Sequence, residues 1–277
     1  MIYKLDKTAY EQVRPLFQAL EYHLTSAAVL DGNNPGLVLV DDPARSQSSF
    51  IFSPEGCYLA GNPDHDTFNR ALNEALHGQQ LLGEPIEALC FMCASESWEK
   101  QLAVVLHPHR PTWIPRRHYI CRKLNYDWRA NVPAGFAVRR IDEALLNHPG
   151  LEIPRHIKGW MVNNWGATAD FLQRGFGFVT LHDEVGSVMQ VVSWSLADCH
   201  SGDACEIGIH TAEPYRRRGL ATLTAAATVE YALSNGFSTV GWQCSEDNLG
   251  SIGTAEKVGF ERERDYTMWY AALKQEA

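Results

Sequence analysis

The sequence predicts a mixed α/β (α+β) protein built from a smaller N-terminal unit over residues 1–125 and a larger unit over residues 135–277. The chain has 277 residues, whereas a typical domain has roughly 100–200, so two modest units fit. Short β-rich runs alternate with helical patterns along the chain. Between Asn125 and Gly135 the apolar periodicity lapses in a polar stretch that contains a proline, and we place the boundary there.

Composition and charge exclude several classes of function. Hydrophobic residues make up 45% and charged residues 21%, as in ordinary globular proteins. With 24 Lys and Arg against 33 Asp and Glu, the net charge is −9, so we expect neither nucleic acid nor a membrane surface as a partner. The sequence has no long apolar run and no apolar leader. These features favour a cytoplasmic protein.

The N-terminal unit shows elements but no catalytic signature. Phe68, Leu72 and Leu76 follow helical spacing over residues 67–77, and Gly78 ends the pattern. The seven cysteines are scattered, which does not indicate a disulfide framework. We expect no metal site, because each candidate pair has a simpler interpretation. Predicted strands cover residues 36–40, 49–52, 57–60 and 88–94; Cys90 and Cys93 fall in the last of these, and His107 and His109 fall in a surface loop.

The role of this first unit stays open at the level of sequence. It is expected to cover the site of the second unit, to mediate assembly into a homodimer, or to be a degenerate copy of the same fold.

The sequence pattern defines the helices and strands of the second unit more clearly than those of the first. Residues 142–165 read as helix or loop, and the next two β-rich runs form an antiparallel hairpin joined by a tight turn at 182–187. A polar turn is predicted at 198–203, before the third strand, and the Ala-rich helix ends at Asn235 and Gly236. The predicted elements are strands 176–181, 188–194 and 204–211, helix 220–234, strand 239–244, helix 249–258 and strand 266–270.

The turn between the third strand and the Ala-rich helix predicts an anion site. The first backbone N–H groups of a helix lack partners within it, and together with the helix dipole they bind phosphate. Gly219 has no Cβ to obstruct a pyrophosphate, and Ala221 keeps the first turn small. Residues 175–215 contain no Lys or Arg, and then three arginines follow together at 216–218. The alternative is an ordinary solvated helix start.

Two motifs carry a resemblance to a known family. Arg216, Gly219 and Ala221 match the pattern [Gln/Arg]-x-x-Gly-x-[Gly/Ala], and Asn248-x-x-Ser251 precedes Glu-Lys-Val-Gly-Phe at 256–260. With these motifs the chain resembles the GNAT acetyltransferase superfamily, clearly over about residues 204–260. In its length and in Glu-Ile-Gly-Ile-x-Thr at 206–211, it also resembles the two-domain zwittermicin-resistance-type group.

The resemblance implies a fold, a cofactor and a set of contacts. The second unit would be a mixed, mostly antiparallel sheet flanked by helices, and acetyl-CoA would be the co-substrate. Its pyrophosphate would lie on backbone N–H groups of residues 217–222, and its pantetheine arm would run between two splayed strands. Asn248 would bind that arm, or it would be only a helix N-cap. The implied cofactor residues are Ile209, His210, Thr211, Arg216, Arg217, Arg218, Gly219, Leu220, Ala221, Thr222, Asn248 and Ser251.

Acyl transfer to an amine also needs a proton acceptor, because an ammonium group has no lone pair. On a strand side chains alternate, so Glu206 and His210 share the face opposite Ile207 and Ile209. Glu206 is the first candidate for the catalytic base and His210 the second; the alternatives are an ordinary carboxylate and a surface histidine. The family's tyrosine acid is missing, since its position is Ala255 here.

We therefore expect an N-acetyltransferase in which a small, cationic primary amine attacks acetyl-CoA directly within a ternary complex. The acidic residues between 175 and 215 favour a cationic acceptor. Trp160, Trp165 and Trp194 would form flat walls of the acceptor pocket or belong to the core. The alternatives are a catalytically weak acyl-CoA-binding module, which Ala255 favours, an acyltransferase with another acyl group or acceptor, and a protein amine as acceptor.

Overall fold

The computed structural model describes residues 1–78, 87–182 and 189–273, which form two compact units. The first comprises Met1–Pro115 and Tyr266–Ala277, and the second comprises Arg116–Asp265. This division differs from the boundary expected at 125–135. The physical reason is strand pairing: residues 116–121 pair within the second unit, and residues 269–272 pair within the first.

The elements are as follows, in chain order. The strands are β1 (Tyr3–Lys4), β2 (Leu37–Val40), β3 (Ser48–Ser53), β4 (Gly56–Gly61), β5 (Ala88–Cys93), β6 (Thr112–Cys121), β7 (Phe136–Arg140), β8 (Leu151–Glu152), β9 (Gly177–His182), β10 (Met189–Ser201), β11 (Ala204–Thr211), β12 (Thr239–Ser245) and β13 (Glu261–Ala272). The α-helices are α1 (Leu24–Leu30), α2 (Asp66–His77), α3 (Glu96–Val105), α4 (Glu143–Leu146), α5 (Arg155–Trp165), α6 (Thr168–Arg174), α7 (Leu220–Ser234) and α8 (Leu249–Val258); Lys7–Leu20, Arg129–Asn131 and Glu213–Tyr215 are 3₁₀-helical.

The sheet of the first unit runs in the order β1-β2-β3-β4-β5-β13, and only β4 and β5 are parallel. Helix α2 makes the crossover between them and buries Phe68 and Leu72, which confirms the helix predicted at 67–77. The predicted strands are confirmed too, and Cys90 lies in β5 as a free thiol. The long 3₁₀ segment was not predicted, because Pro15 interrupts its helical pattern.

The sheet of the second unit runs in the order β7-β9-β10-β11-β12-β6, with β8 beside β10. Only the β11/β12 and β8/β10 pairs are parallel, which confirms a mixed, mostly antiparallel sheet. Helix α7 lies on one face, where the hydroxyls of Thr224 and Thr180 are 2.7 Å apart. Helix α5 lies on the other face, where the Trp160 ring packs over Gly208.

Strand β10 is longer than the sequence predicts. The polar turn expected at 198–203 is confined to residues 202–203, since β10 continues to Ser201 and pairs there with Ala204 of β11. The strand can accommodate Asp198 because the Asp198 carboxylate accepts a hydrogen bond from Trp160 Nε1 at 2.6 Å. The hairpin between β9 and β10 is confirmed by their antiparallel pairing, whereas most of its expected turn, at 183–187, lies outside the described residues.

Three further features concern the described residues only. Their helices are all too short or too polar to cross a membrane. No cluster of three His, Cys, Asp or Glu side chains there is arranged to hold a metal ion. The seven cysteines are free thiols.

Candidate functional site

Helix α7 begins with unused hydrogen-bond donors. Its N-cap is Gly219, with φ of +79°, and no side chain accepts a hydrogen bond from its first amides. Arg217 is also left-handed, with φ of +61°, a conformation that costs a non-glycine residue about 1–2 kcal/mol. A Cβ added at Gly219 would meet no atom within 4 Å, so the space in front of the amides is open. Open amides behind a strained turn are typical of an anion-binding site.

Three arginines precede the helix, and two of them, Arg216 and Arg217, line this opening. Arg216 donates from Nε to the carbonyl oxygen of Thr211 at 3.2 Å, and the Arg218 guanidinium lies 5.3 Å from the Tyr215 ring centre. All three are exposed. Within the described ranges none forms an ion pair with a carboxylate, so their charge remains uncompensated at the surface.

A cavity of about 530 Å³ extends from this helix start, a volume within the range of small-molecule sites. All of the cofactor residues expected from the sequence line it except Arg218, and Glu206 lies outside its lining. Three lining residues were missed: Tyr215, Gly250 and Thr254. Thr254 follows Ser251 by one helical turn, so helical spacing alone would have placed it on the same face.

The strands beside the cavity separate from each other. The registered pairs of β11 with β12 end at Glu206 and Gly241, although β11 continues to Thr211 and β12 to Ser245. The carbonyl of His210 points to β10, because it accepts a hydrogen bond from Ser193 Oγ at 3.0 Å. Since successive residues of a strand direct their backbone groups to opposite neighbours, the N–H groups of Ile209 and Thr211 face the gap.

Asn248 caps helix α8, which is the structural alternative to a contact with the cofactor. Its Oδ1 accepts a hydrogen bond from Ser251 N at 3.1 Å, so it caps α8. Ser251 Oγ accepts one from Trp242 Nε1 at 3.0 Å. Both residues nevertheless line the cavity.

Glu206 does not line the cavity. It lies on the face of β11 that α5 covers. Its Oε2 accepts a hydrogen bond from Gln243 Nε2 at 3.0 Å. Farther along β11, a Cβ at Gly208 would lie 2.9 Å from both the Trp160 ring and Asp198 Oδ2, so this carboxylate and ring close the face there. The face therefore presents Glu206 between polar and aromatic neighbours.

His210 lies at the far end of the same face, half-buried. Its ring stacks on Trp194 at 5.8 Å between ring centres and lies 4.9 Å from His156. Burial lowers the pKa of His210, and the nearby His156 and Arg216 lower it further. Its ring is therefore neutral at neutral pH.

The three tryptophans divide between two environments. Trp165 is a core residue, 2% exposed, and donates to the carbonyl oxygen of Ala197 at 2.9 Å. Trp160 and Trp194 pack together with ring centres 5.2 Å apart on the face of β11 that carries Glu206. Trp194 is 3% exposed and is therefore as buried as Trp165, so Trp160 alone of the three is partly exposed on this face.

Few side chains beside the gap between β11 and β12 could act as a nucleophile or donate a proton to the leaving group. Ala255 is fully buried in α8, where the family carries its tyrosine. Cys205 and Cys244 are buried, and burial raises the pKa of each thiol, so neither is a thiolate at neutral pH.

Comparison with known proteins agrees with this geometry. A model of the GNAT acetyltransferase family matches residues 14–269. An uncharacterized N-acetyltransferase, YdfB of Bacillus subtilis, is 25% identical over 274 residues, covering 98% of this chain and 99% of its own.

Two solved structures share the fold over nearly the whole chain. One is a GCN5-related N-acetyltransferase-like protein from Streptococcus suis, with TM-score 0.68 and 23% identity over 95% of this chain and 98% of that one. The other is a tandem GNAT protein from the clavulanic acid biosynthesis pathway, with TM-score 0.58 and 14% identity, covering all of both chains.

Proposed function

The chain belongs to the GNAT acetyltransferase family and is therefore an acyltransferase, and from this premise we propose that it acetylates the primary amine of a small, cationic acceptor. Acetyl-CoA would be the acetyl donor, and the amine would attack it directly within a ternary complex.

The observation that carries the proposal is the open start of α7. Left-handed Arg217 and Gly219 leave the first amides of α7 without a side-chain cap, and arginine charge surrounds them. This donor set fits the pyrophosphate of a nucleotide cofactor. The cavity runs on from the helix start to Ile209 and Asn248, which gives an extended ligand a continuous path. When bound, acetyl-CoA supplies the acetyl thioester.

The gap between β11 and β12 supports the transfer itself. The backbone N–H groups of Ile209 and Thr211 face it, and such donors stabilise negative charge that develops on a carbonyl oxygen. No described cysteine there is a thiolate, which favours direct attack by the amine over an acyl-enzyme.

Glu206 is the base that we propose. Its carboxylate would accept the proton of the acceptor ammonium, while the amide of Gln243 holds one of its oxygens. His210 is four residues farther along β11, about 13 Å away, so the two side chains do not contact the same nitrogen atom. The proton for the leaving thiolate would come from solvent or from another residue, because Ala255 offers none.

Charge and shape favour a small cationic acceptor. The carboxylates of Glu206 and Asp198 lie on the face that α5 covers, together with the rings of Trp160 and Trp194. Carboxylates attract an ammonium group, and an aromatic face adds a cation–π contact.

The test is thiol release from acetyl-CoA in the presence of a panel of polyamines, amino sugars, amino acids and a lysine peptide. We expect turnover with at least one small amine, an initial-rate pattern of intersecting lines, and slower turnover with succinyl-CoA. Release with the lysine peptide alone would contradict the small acceptor. Parallel lines would contradict the ternary complex.

A further inference from the structure

A buried histidine lies beside Glu206 and has no part in the mechanism above. His118 is on β6, 5% exposed, and its register partner on β12 is Gln243. Gln243 is the residue that donates to Glu206. On its other side, His118 Nδ1 is 2.9 Å from Glu263 Oε2. Four adjacent strands, in the order β13-β6-β12-β11, thus place Glu263, His118 and Glu206 in one line across β12.

Gly241 on β12 lies between Glu206 and His118. Because it has no side chain, it leaves a gap between them. It pairs with Glu206 on β11 and with Ile120 on β6. A Cβ built on Gly241 would lie 3.5 Å from Glu206 Cγ and 3.5 Å from His118 Nε2. Glu206 Cγ and His118 Nε2 therefore lie on either side of the position that a methyl group on Gly241 would occupy.

The protonation state of His118 determines the direction in which a proton can move along this line. Burial lowers the pKa of His118, and Arg264 on β13 adds to this, while the hydrogen bond and charge of Glu263 oppose it. A neutral ring carries one proton, and the Glu263 carboxylate only accepts, so the hydrogen bond assigns that proton to Nδ1. Nε2, which faces the Gly241 gap, then carries the lone pair.

We propose that His118, oriented by Glu263, takes from Glu206 the proton that Glu206 receives from the acceptor amine, a role that rests on the proposed function. An N–H bond of the ammonium breaks as an O–H bond forms on Glu206. That O–H bond then breaks as an N–H bond forms at His118 Nε2, and the imidazolium is paired with the Glu263 carboxylate. The Nδ1 proton then leaves to solvent through Glu263, which is 32% exposed. Exchange with solvent moves the remaining ring proton from Nε2 back to Nδ1 and restores the starting tautomer.

His118 acts through Glu206 and is therefore a positioning and relay residue. It restores the carboxylate of Glu206 for each turnover. It also raises the pH at which the base is lost above that of a carboxylate alone, because the pair titrates as a unit.

The first test is Gly241→Ala, which fills the gap without disturbing the chain. The three nearest atoms would lie at 3.5–3.6 Å from the new Cβ, an ordinary contact distance, and Gly241 has no left-handed φ. We expect kcat to fall about tenfold, with unchanged acetyl-CoA affinity and thermal stability. Gly253→Ala in α8, where a Cβ meets nothing within 4 Å, is the matched control and should keep the wild-type kcat.

The second test is the pH profile of His118→Gln, which keeps an amide donor for Glu263 but removes the titrating ring. In the wild type, the acid limb of kcat/KM should fall between the ordinary pKa values of Glu and His, about 4.3 and 6.5. In the variant it should move toward the carboxylate value, with kcat reduced about ten- to a hundredfold. A variant with the wild-type rate and profile would overturn the relay.

A third measurement does not need turnover. Titration of the His118 ring by NMR should give a lower pKa in Glu206→Gln than in the wild type, because a nearby negative charge has been removed. An identical pKa in the two proteins would show that the side chains are not coupled and would overturn the relay alone. Failure of the wild type to release thiol with every amine would instead remove the proposed function, whatever the NMR result.

Discussion

The two units of the molecule have nearly the same order and direction of elements but different sites. In each, a strand and helices precede three antiparallel strands, a crossover helix, a parallel strand and a second helix. The order differs in the last strand of each sheet, which is β13 in the first unit and β6 in the second. The single parallel contact made by the crossover has three registered pairs in both units: residues 57–59 with 91–93, and residues 204–206 with 239–241. The topology alone therefore does not explain the cavity.

The crossover helices begin differently. In the first unit, His65 Nδ1 accepts a hydrogen bond from Phe68 N at 3.1 Å, and Asp66 puts negative charge in the first turn of α2. In the second unit, Gly219 leaves the amides of α7 without a side-chain cap, and the turn before them is basic. A side-chain cap and an acidic first turn take up the donors and the dipole that an anion would use.

The strands before these helices differ as well. Leu59, which occupies the third registered pair as Glu206 does, is fully buried. Trp98 Nε1 donates to the carbonyl oxygen of Gly61 at 3.0 Å, so a side chain occupies the end of β4. A few residues at the crossover therefore decide whether the shared scaffold forms a packed core or a binding site there.

The largest effect is expected from Glu206→Gln, which removes the proposed base and keeps the shape. kcat should fall about 10²–10³-fold, while the dissociation constant of acetyl-CoA stays the same. The matched change in the first unit is Leu59→Ala, which should cost about 2–5 kcal/mol of unfolding free energy and leave kcat per folded molecule unchanged. Steady-state kinetics and urea unfolding separate the two. Equal kinetic losses would contradict a division of roles between the units.

Gly219→Val should weaken acetyl-CoA binding about 30–100-fold, as measured by calorimetry, because a branched side chain would stand in front of the helix amides (about 2–3 kcal/mol). The control is Gly236→Val at the other end of α7. Gly236 is also left-handed, with φ of +97°, and also has open space around its Cβ position. Both variants should lose similar stability. If Gly236→Val weakens binding as much, obstruction at the helix start is not the cause.

A smaller effect is expected from His210→Asn. Because its Cα atom lies about 13 Å from that of Glu206 along β11, the change should lower kcat/KM no more than about threefold. A loss as large as that of Glu206→Gln would make His210 the base.

The smallest effect is expected in the dependence of the free energy of unfolding on pH. Burial holds the pKa of His118 below its ordinary value, so below about pH 6.5 the unfolded chain binds a proton that the folded protein does not. Stability should therefore fall as the pH is lowered through this range, and the fall should be shallower in His118→Gln. Urea unfolding at pH 7.5 and 5.5 measures both. An equal fall in the two proteins would contradict a neutral buried ring.

The sequence predicts the second unit better than the first. Strand 204–211 and helices 220–234 and 249–258 coincide with β11, α7 and α8, because local periodicity and turn residues define each of them. Polar groups paired at long range leave no local signal. Asp198 lies within a strand because Trp160, 38 residues away, donates to it, so a turn was predicted there.

The same reasoning applies to the site. The cavity lining around Gly219 follows a local motif and was predicted. Tyr215 was not predicted, and its hydroxyl is hydrogen-bonded to His182, 33 residues away. His118 and Glu263 are 145 residues apart in sequence, and nothing in the local pattern of either residue indicates the other.

The most direct test of the central claim is a ¹H–¹⁵N NMR titration of the protein with CoA. We expect the amide signals of Arg217, Gly219 and Leu220 to shift most, while those of Thr67 and Phe68 at the start of α2 stay in place. Shifts at α2, or none at α7, would contradict an anion site built on the open start of the second crossover helix.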